Sequence, residues 1–259
     1  MKGAIIGDII GSRFEKRNCK SKQFELFTRE SRFTDDTVLT VAVADVLLKN
    51  GDYEGILRRY ALRYPFAGYG GKFKKWMFGL TNGAYNSWGN GAAMRVSPVG
   101  LAFETADRVL EEAAKSAAIT HNHPEGIKGA QAMALGIFMA KHGASKTVIK
   151  AEIESAFGYD LDRSVDEIRP HYTFDVSSQG SVPEAIIAFL ASTDFEDAIR
   201  TAVSLGGDSD TIASMTGALA EAFYKEIPDA LEAEAFHRLP AKFIRLMEDF
   251  QTRFNLNPS

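Results

Sequence analysis

Two short stretches carry the residues that could do chemistry. Leu205-Gly206-Gly207-Asp208-Ser209-Asp210-Thr211 sets two closely spaced aspartates after a glycine pair and ahead of the apolar-periodic run Ile212, Met215, Leu219, Phe223. Far upstream, Thr34-Asp35-Asp36-Thr37 also opens a strongly apolar segment. An aspartate in such a place is by default a helix cap. If the two turns converge, Asp35, Asp36, Asp208 and Asp210 share one cleft, where like charges cannot all stay ionised unless cations neutralise them. The donors are carboxylate oxygens, with the hydroxyls of Thr34 and Thr211 as candidate additions, and an oxygen-only set selects Mg²⁺, Mn²⁺ or Ca²⁺ over zinc. Two octahedral ions, Mg²⁺ or Mn²⁺, suit it best. Such a centre clamps substrate oxygens and lowers the pKa of a bound water, so the implied reaction is a hydrolysis.

Helices must position these turns. Gly3, Gly7 and Gly11 recur every four residues among Ile5, Ile6, Ile9 and Ile10, which predicts a buried first helix, from Lys2 to Glu15, with one face smooth enough for close packing. From Phe14 to Phe33 the period is lost among basic residues, and this stretch reads as a long loop of the kind that often forms a lid. Thr34 caps a helix that is apolar nearly all round and stops at Asn50-Gly51, which places it mid-bundle. Further helices are expected over Tyr53–Tyr64, from Lys72-Phe73-Lys74-Lys75-Trp76, over Ala106–Ile119 and Pro124–Lys141, and after a Ser145 cap. A short turn is expected at Val165–Ile168, then helices over Glu184–Ala191 (entered at Ser181 with Pro183 just inside), from Asp194 to the glycine pair, from Asp208, and from about Phe236 to Phe250. No stretch alternates with a two-residue period between hairpin turns, so the fold class is all-α, one compact domain over residues 1–259.

With 259 residues, 45% hydrophobic and 25% charged, the chain can bury a substantial core. A net charge of −4 gives no global attraction for nucleic acid or an anionic membrane, and leaves any polyanion to a local patch. The lone Cys19 rules out an intrachain disulfide and a cysteine-built zinc site, and a reducing cytoplasm is the expected compartment. Asp8 interrupts the N-terminal apolar run too early for a signal peptide, and no run reaches the ~20 apolar residues that span a bilayer. A monomer away from membranes is expected.

The segment Asn86-Ser87-Trp88-Gly89-Asn90-Gly91-Ala92-Ala93-Met94-Arg95 has no period, and its small residues around a Trp suit a backbone that approaches something flat. Asp8 is expected to be a buried hydrogen-bonding anchor rather than a metal ligand, and His123, before Pro124, a structural residue. Arg95 is expected to pair with a buried carboxylate rather than a phosphate. Gln179-Gly180-Ser181 either starts a helix or borders the cleft.

In these motifs the chain resembles the ADP-ribosylglycohydrolases. The resemblance lies in Gly7-Asp8 with Gly11 and Glu15, in Thr34-Asp35-Asp36-Thr37, and in Ser87-Trp88-Gly89-Asn90-Gly91 with Met94-Arg95. It continues in Thr120-His121 and in Gly206-Gly207-Asp208-Ser209-Asp210-Thr211. Each motif alone is weak; the five in this order are specific. The resemblance implies an all-α bundle with a central cleft holding two divalent cations, Mg²⁺ or Mn²⁺, on Thr34, Asp35, Asp36, Asp208, Asp210 and Thr211. It implies Glu15, Asp35 and Asp208 as catalytic groups. Asn86, Ser87, Trp88, Gly89, Asn90, Gly91, Met94, His121 and Gly207 would bind the ADP-ribose of a modified protein, nucleic acid or small molecule, which is released by cleavage at the distal ribose. Trp88 departs from the tyrosine frequent at this position in animal members, which leaves the ligand's pose open. A metal-dependent phosphohydrolase and a non-catalytic, crystallin-like ADP-ribose binder are the competing readings.

Overall fold

A computed structural model describes residues 1–256. Among these residues fourteen α-helices follow one another. The first seven are α1 (Lys2–Gly11), α2 (Asp35–Lys49), α3 (Tyr53–Arg63), α4 (Gly71–Met77), α5 (Ser97–Ala102), α6 (Ala106–Ala118) and α7 (Pro124–Lys141). The others are α8 (Lys146–Phe157), α9 (Val165–Ile168), α10 (Ser178–Ala191), α11 (Phe195–Leu205), α12 (Ser209–Tyr224), α13 (Asp229–Phe236) and α14 (Ala241–Arg253). Among the described residues there is no β-strand, only a two-residue bridge between Gly89 and Ser177. The all-α expectation holds.

The centre is built from helices that are apolar on most faces. Residues Asp36 to Val46 of α2 are all buried, as are Ser209 to Ala220 of α12. Helix α1 lies directly on α12. A Cβ on Gly3 would sit 2.1 Å from the Gly217 carbonyl oxygen, and one on Gly7 would sit 2.0 Å from that of Ala213. No side chain fits there, so the four-residue glycine period is the sequence record of this crossing. Gly217 answers in kind, since a Cβ there would meet the Gly3 carbonyl oxygen at 2.2 Å.

Local signals set most helix ends. Thr34 caps α2 by accepting from the Asp36 N–H, and Asn50 closes it in the left-handed region at φ 49°. Ser145 and Asp194 cap α8 and α11, and His123 caps α7 by accepting from the Glu125 N–H, with Pro124 first in the helix.

Four boundaries differ from the sequence expectation. Helix α1 ends at Gly11, so Glu15 lies beyond it on the loop. Helix α10 starts three residues before Ser181, capped by Ser177, and carries Pro183 inside rather than at its first turn. The closing helix starts after Pro240 and not at Phe236, which instead ends the separate helix α13. The short helix α5, with Pro98 in its first turn, was not expected.

Candidate metal centre and ligand cleft

The N-terminal ends of α2 and α12 meet beside α1. Carboxylate oxygens of Asp8, Asp36 and Asp210, all three buried, lie within 4.8 Å of one another. The two aspartate turns do converge, and Asp8 on α1 joins them. Asp8 is also the expected anchor: its Oδ2 accepts from the backbone N–H of Thr34 at 2.9 Å and of Thr37 at 3.1 Å, and its Oδ1 from the Thr34 hydroxyl at 2.7 Å. It therefore ties the start of α2 to α1 while facing the other carboxylates.

The remaining oxygens are sparsely partnered. Asp36 Oδ2 is within 3.3 Å of the Thr211 hydroxyl and 3.4 Å of the Thr34 hydroxyl, and Asp36 Oδ1 is buried with no partner at all. Asp210 accepts from the N–H of Thr211 at 3.0 Å, and Asp208 Oδ2 takes the Asn90 side-chain amide at 2.7 Å. Among the described residues no cationic side chain enters this group as a hydrogen-bond or ion-pair partner.

The electrostatics follow from burial. Desolvation pushes Asp8 and Asp208 up to about 6 against hydrogen bonds that pull the other way. Asp35 is pushed up to about 8 by desolvation and by the charges of Asp8, Asp208 and Glu15. Asp36 and Asp210 are driven well above the ordinary carboxylate range, first by burial and then by neighbouring aspartates. A site with an orphaned buried carboxylate oxygen, hydroxyls at its edge and charges that cannot all persist alone is a fit for hard divalent cations.

A cleft of about 510 Å³ opens over these carboxylates. Its walls include Glu15, Thr34, Asp35, Asp36, Asp208, Asp210 and Thr211, together with Ser87 to Gly91, Met94 and His121. Of the residues expected from sequence, Asn86 and Gly207 are not on this wall. Asn86 takes a left-handed turn at φ 51°, and its N–H donates to the Asn122 side chain. Gly207, at φ 72°, donates its N–H to Asn18 Oδ1 at 2.7 Å, and a Cβ there would run into Tyr172. It shapes the turn that delivers Asp208.

The Trp88–Gly91 backbone is pinned from the far end of the chain. Asn90 N–H donates to the Val176 carbonyl at 2.8 Å, Ser178 N–H to that of Trp88 at 3.0 Å, and Ser178 Oγ to that of Gly89 at 2.8 Å. Gly91 lies against the His121 ring, where a Cβ would be 3.0 Å from Nε2. Burial and the charge of Arg95 drive His121 well below its usual range, so its ring is neutral. Arg95 donates to the Thr120 hydroxyl at 3.0 Å, and Thr120 stands 2.7 Å from His121 Nδ1. The Thr120 hydroxyl thus holds the ring at Nδ1, and Nε2 faces the Gly89–Gly91 backbone.

Arg95 thus corrects the expected ion pair: it is fully buried and bonds the Ser116 carbonyl at 2.9 Å and Thr120, not a carboxylate. Sequence reasoning missed the wall residues Leu39, Phe174 and Val176. The last two come from the irregular stretch before α10, and only the exposure of Phe174 and Val176, at 53% and 45%, marks them as apolar side chains left uncovered.

The chain as a whole is similar to known proteins. A family model described as ADP-ribosylglycohydrolase matches residues 1–256. ADP-ribosylhydrolase ARH3 of Mus musculus is 27% identical over 312 residues, covering 89% of this chain and 84% of its own length, and that of Homo sapiens is 27% identical, covering 89% and 86%. An uncharacterized protein of Archaeoglobus fulgidus is 28% identical over 223 residues, covering 76% of this chain and 73% of its own. A solved structure titled ADP-ribosylglycohydrolase-related protein complex superposes with a TM-score of 0.68 at 24% identity, covering 98% of this chain and 94% of that one. No helix among the described residues is long and apolar enough to cross a membrane.

Proposed function

This chain belongs to the ADP-ribosylglycohydrolase family, and on that premise we propose that it hydrolyses the bond between the distal ribose of ADP-ribose and an acceptor, releasing free ADP-ribose. The observation that carries the reading is the convergence of Asp8, Asp36 and Asp210 beneath a cleft walled by the Ser87–Gly91 loop and His121.

Asp36, Asp208 and Asp210, with Asp35, Thr34 and Thr211, would hold two divalent cations, Mg²⁺ or Mn²⁺, and Asp8 is added to that set by its place in the cluster. Bound there, the ions would supply Lewis acidity toward ribose hydroxyls and acidify a water. The chain's own residues do the rest. Asn90 orients Asp208 through its side-chain amide. Nε2 of the neutral His121 and the side-chain-free surface at Gly91 bind and orient the ribose, and the half-exposed Trp88 indole offers a stacking face. Glu15, on the cleft wall among the aspartates, takes the proton of the attacking water as its oxygen bonds the anomeric carbon. The bond from that carbon to the acceptor breaks through an oxocarbenium-like state, and the acceptor leaves with the electron pair.

The lone Cys19 fits a reducing cytoplasm, and we expect residues 1–259 to act as one monomeric domain. The deciding experiment is mass spectrometry of products from ADP-ribosylated arginine, serine and phosphate acceptors with Mg²⁺ or Mn²⁺. Intact ADP-ribose, lost in Asp210→Asn and slowed in single turnover by Glu15→Gln, supports the reading. AMP as product turns it into a phosphohydrolase, and no turnover of any acceptor turns it into a binding protein.

A further inference from the structure

Beside the cleft a second cavity of about 440 Å³ is walled by Arg13, Lys16, Arg17, Arg29 and Arg32, and it shares Glu15 and Arg32 with the cleft itself. Its only other acid is Glu30, which pairs with Arg17 at 3.3 Å. Arg13 is taken up by the Glu25 carbonyl and by the Phe14 ring at 4.2 Å. Among the described residues the side chains of Lys16, Arg29 and Arg32 have neither an ion pair nor a hydrogen bond; Arg32 makes only a backbone contact, to Ser12. Like charges facing one concave volume repel each other and focus a positive potential there, although the whole chain carries −4. Lys16, Arg29 and Arg32 are exposed there, within reach of an anion.

The cavity joins the cleft at one end. Asn90 holds the Asp208 end, whereas the Asp35 end is met by the loop before α4: Asp35 N–H donates to the Ala67 carbonyl at 2.8 Å, and a Cβ on Gly68 would touch the Asp35 carboxylate. Arg32 enters at that same end, three residues before Asp35. The neighbouring Phe66, also on the cleft wall, is 98% exposed. A cationic cavity beside a free aromatic face is the pairing that holds a single strand of nucleic acid, with phosphate in the groove and a base stacked on the ring. We propose that the acceptor is a single-stranded nucleic acid whose phosphate occupies the Lys16–Arg29–Arg32 cavity and whose base lies on Phe66. The word acceptor rests on the glycohydrolase reading; the binding does not.

The test is fluorescence anisotropy of a 5′-phosphorylated, labelled tetranucleotide with the whole protein and Mg²⁺. One neutralised phosphate gives a salt slope of about −0.7, so affinity should fall roughly two- to threefold between 50 and 200 mM salt. Lys16→Ala with Arg29→Ala should weaken binding at least tenfold, and Phe66→Ala about tenfold, with helical content and melting unchanged. Variants that bind like wild type overturn the proposal, and so does a phosphoserine peptide of equal charge that binds as tightly as the oligonucleotide. Release of ADP-ribose is followed in parallel. Turnover without oligonucleotide binding overturns this proposal and leaves the glycohydrolase reading standing. Binding that needs Lys16, Arg29 and Phe66, without turnover of any acceptor, supports the nucleic-acid site and overturns the glycohydrolase reading.

Discussion

Freed of divalent cations by a chelator, the protein should lose stability as pH rises from 5 to 8 and recover it when Mn²⁺ is added. The buried aspartates hold their protons more tightly folded than unfolded, so above about pH 4 the unfolded chain has released protons that the fold retains. Stability then falls with rising pH, and each group's loss is complete once pH passes its folded value. Asp208 alone, raised from 3.8 to about 6, costs the metal-free fold about 3 kcal/mol at pH 8, of which about half is already present at pH 5. The remaining ~1.5 kcal/mol corresponds to a fall of roughly 3 to 6 °C in melting temperature. Asp8, also at about 6, acts in the same window, and Asp35, at about 8, extends the loss to the top of it. Mn²⁺ at a hundred times its dissociation constant should return about 2.7 kcal/mol. Differential scanning fluorimetry from pH 5 to 8, with chelator and with Mn²⁺, reads both effects, and Asp208→Asn should flatten the chelator slope. A melting temperature that is level or rises with pH in chelator, or that ignores Mn²⁺, refutes the reasoning.

Gly7→Ala should cost about 3 kcal/mol, the upper end for overpacking, because its Cβ would meet the Ala213 carbonyl at 2.0 Å; denaturant unfolding checks this, and wild-type stability would disprove the tight crossing of α1 on α12. Asn18→Ala removes the acceptor of the Gly207 N–H, worth about 1 kcal/mol. It should raise the Mn²⁺ concentration needed for half-maximal turnover about fivefold with little change in substrate KM. A shift in substrate KM instead would place Asn18 in ligand binding.

Much of the helical framework was legible because its signals are local. Caps such as Thr34, Ser145 and Asp194, and the Pro124 start of α7, depend on neighbours within one turn, and they fall where the sequence places them. Pro183 misled because a proline is best tolerated in the first turn, whereas α10 accommodates it further inside, behind the Ser177 cap. Helix α13 escaped notice between Pro228 and Pro240, since its eight residues bury only Leu231 and Ala235 and so carry almost no period. At the site, the aspartate pairs were readable by residue type, but their union rested on the family resemblance rather than on any local signal. What joins them is Asp8, whose bonds to Thr34 and Thr37 cross from α1 to α2, and no local pattern encodes a contact between distant segments. Arg95 shows the same limit: its burial was foreseeable, its carbonyl and hydroxyl partners on α6 and Thr120 were not.

The glycine crossing of α1 and α12 has a consequence for how this protein can be altered. Asp8 rides on one of those helices and Asp210 on the other, and the helices touch main chain to main chain. The spacing of these two carboxylates is therefore gauged by peptide backbone, with no side-chain packing between that a substitution could retune. The loop carrying Lys16 to Arg32 and the one carrying Phe66 to Gly71 stand outside that gauge. Grafting different loops at these two places should exchange one acceptor for another while the carboxylate spacing stays as it is, which makes the scaffold a natural starting point for redirecting specificity by loop exchange alone.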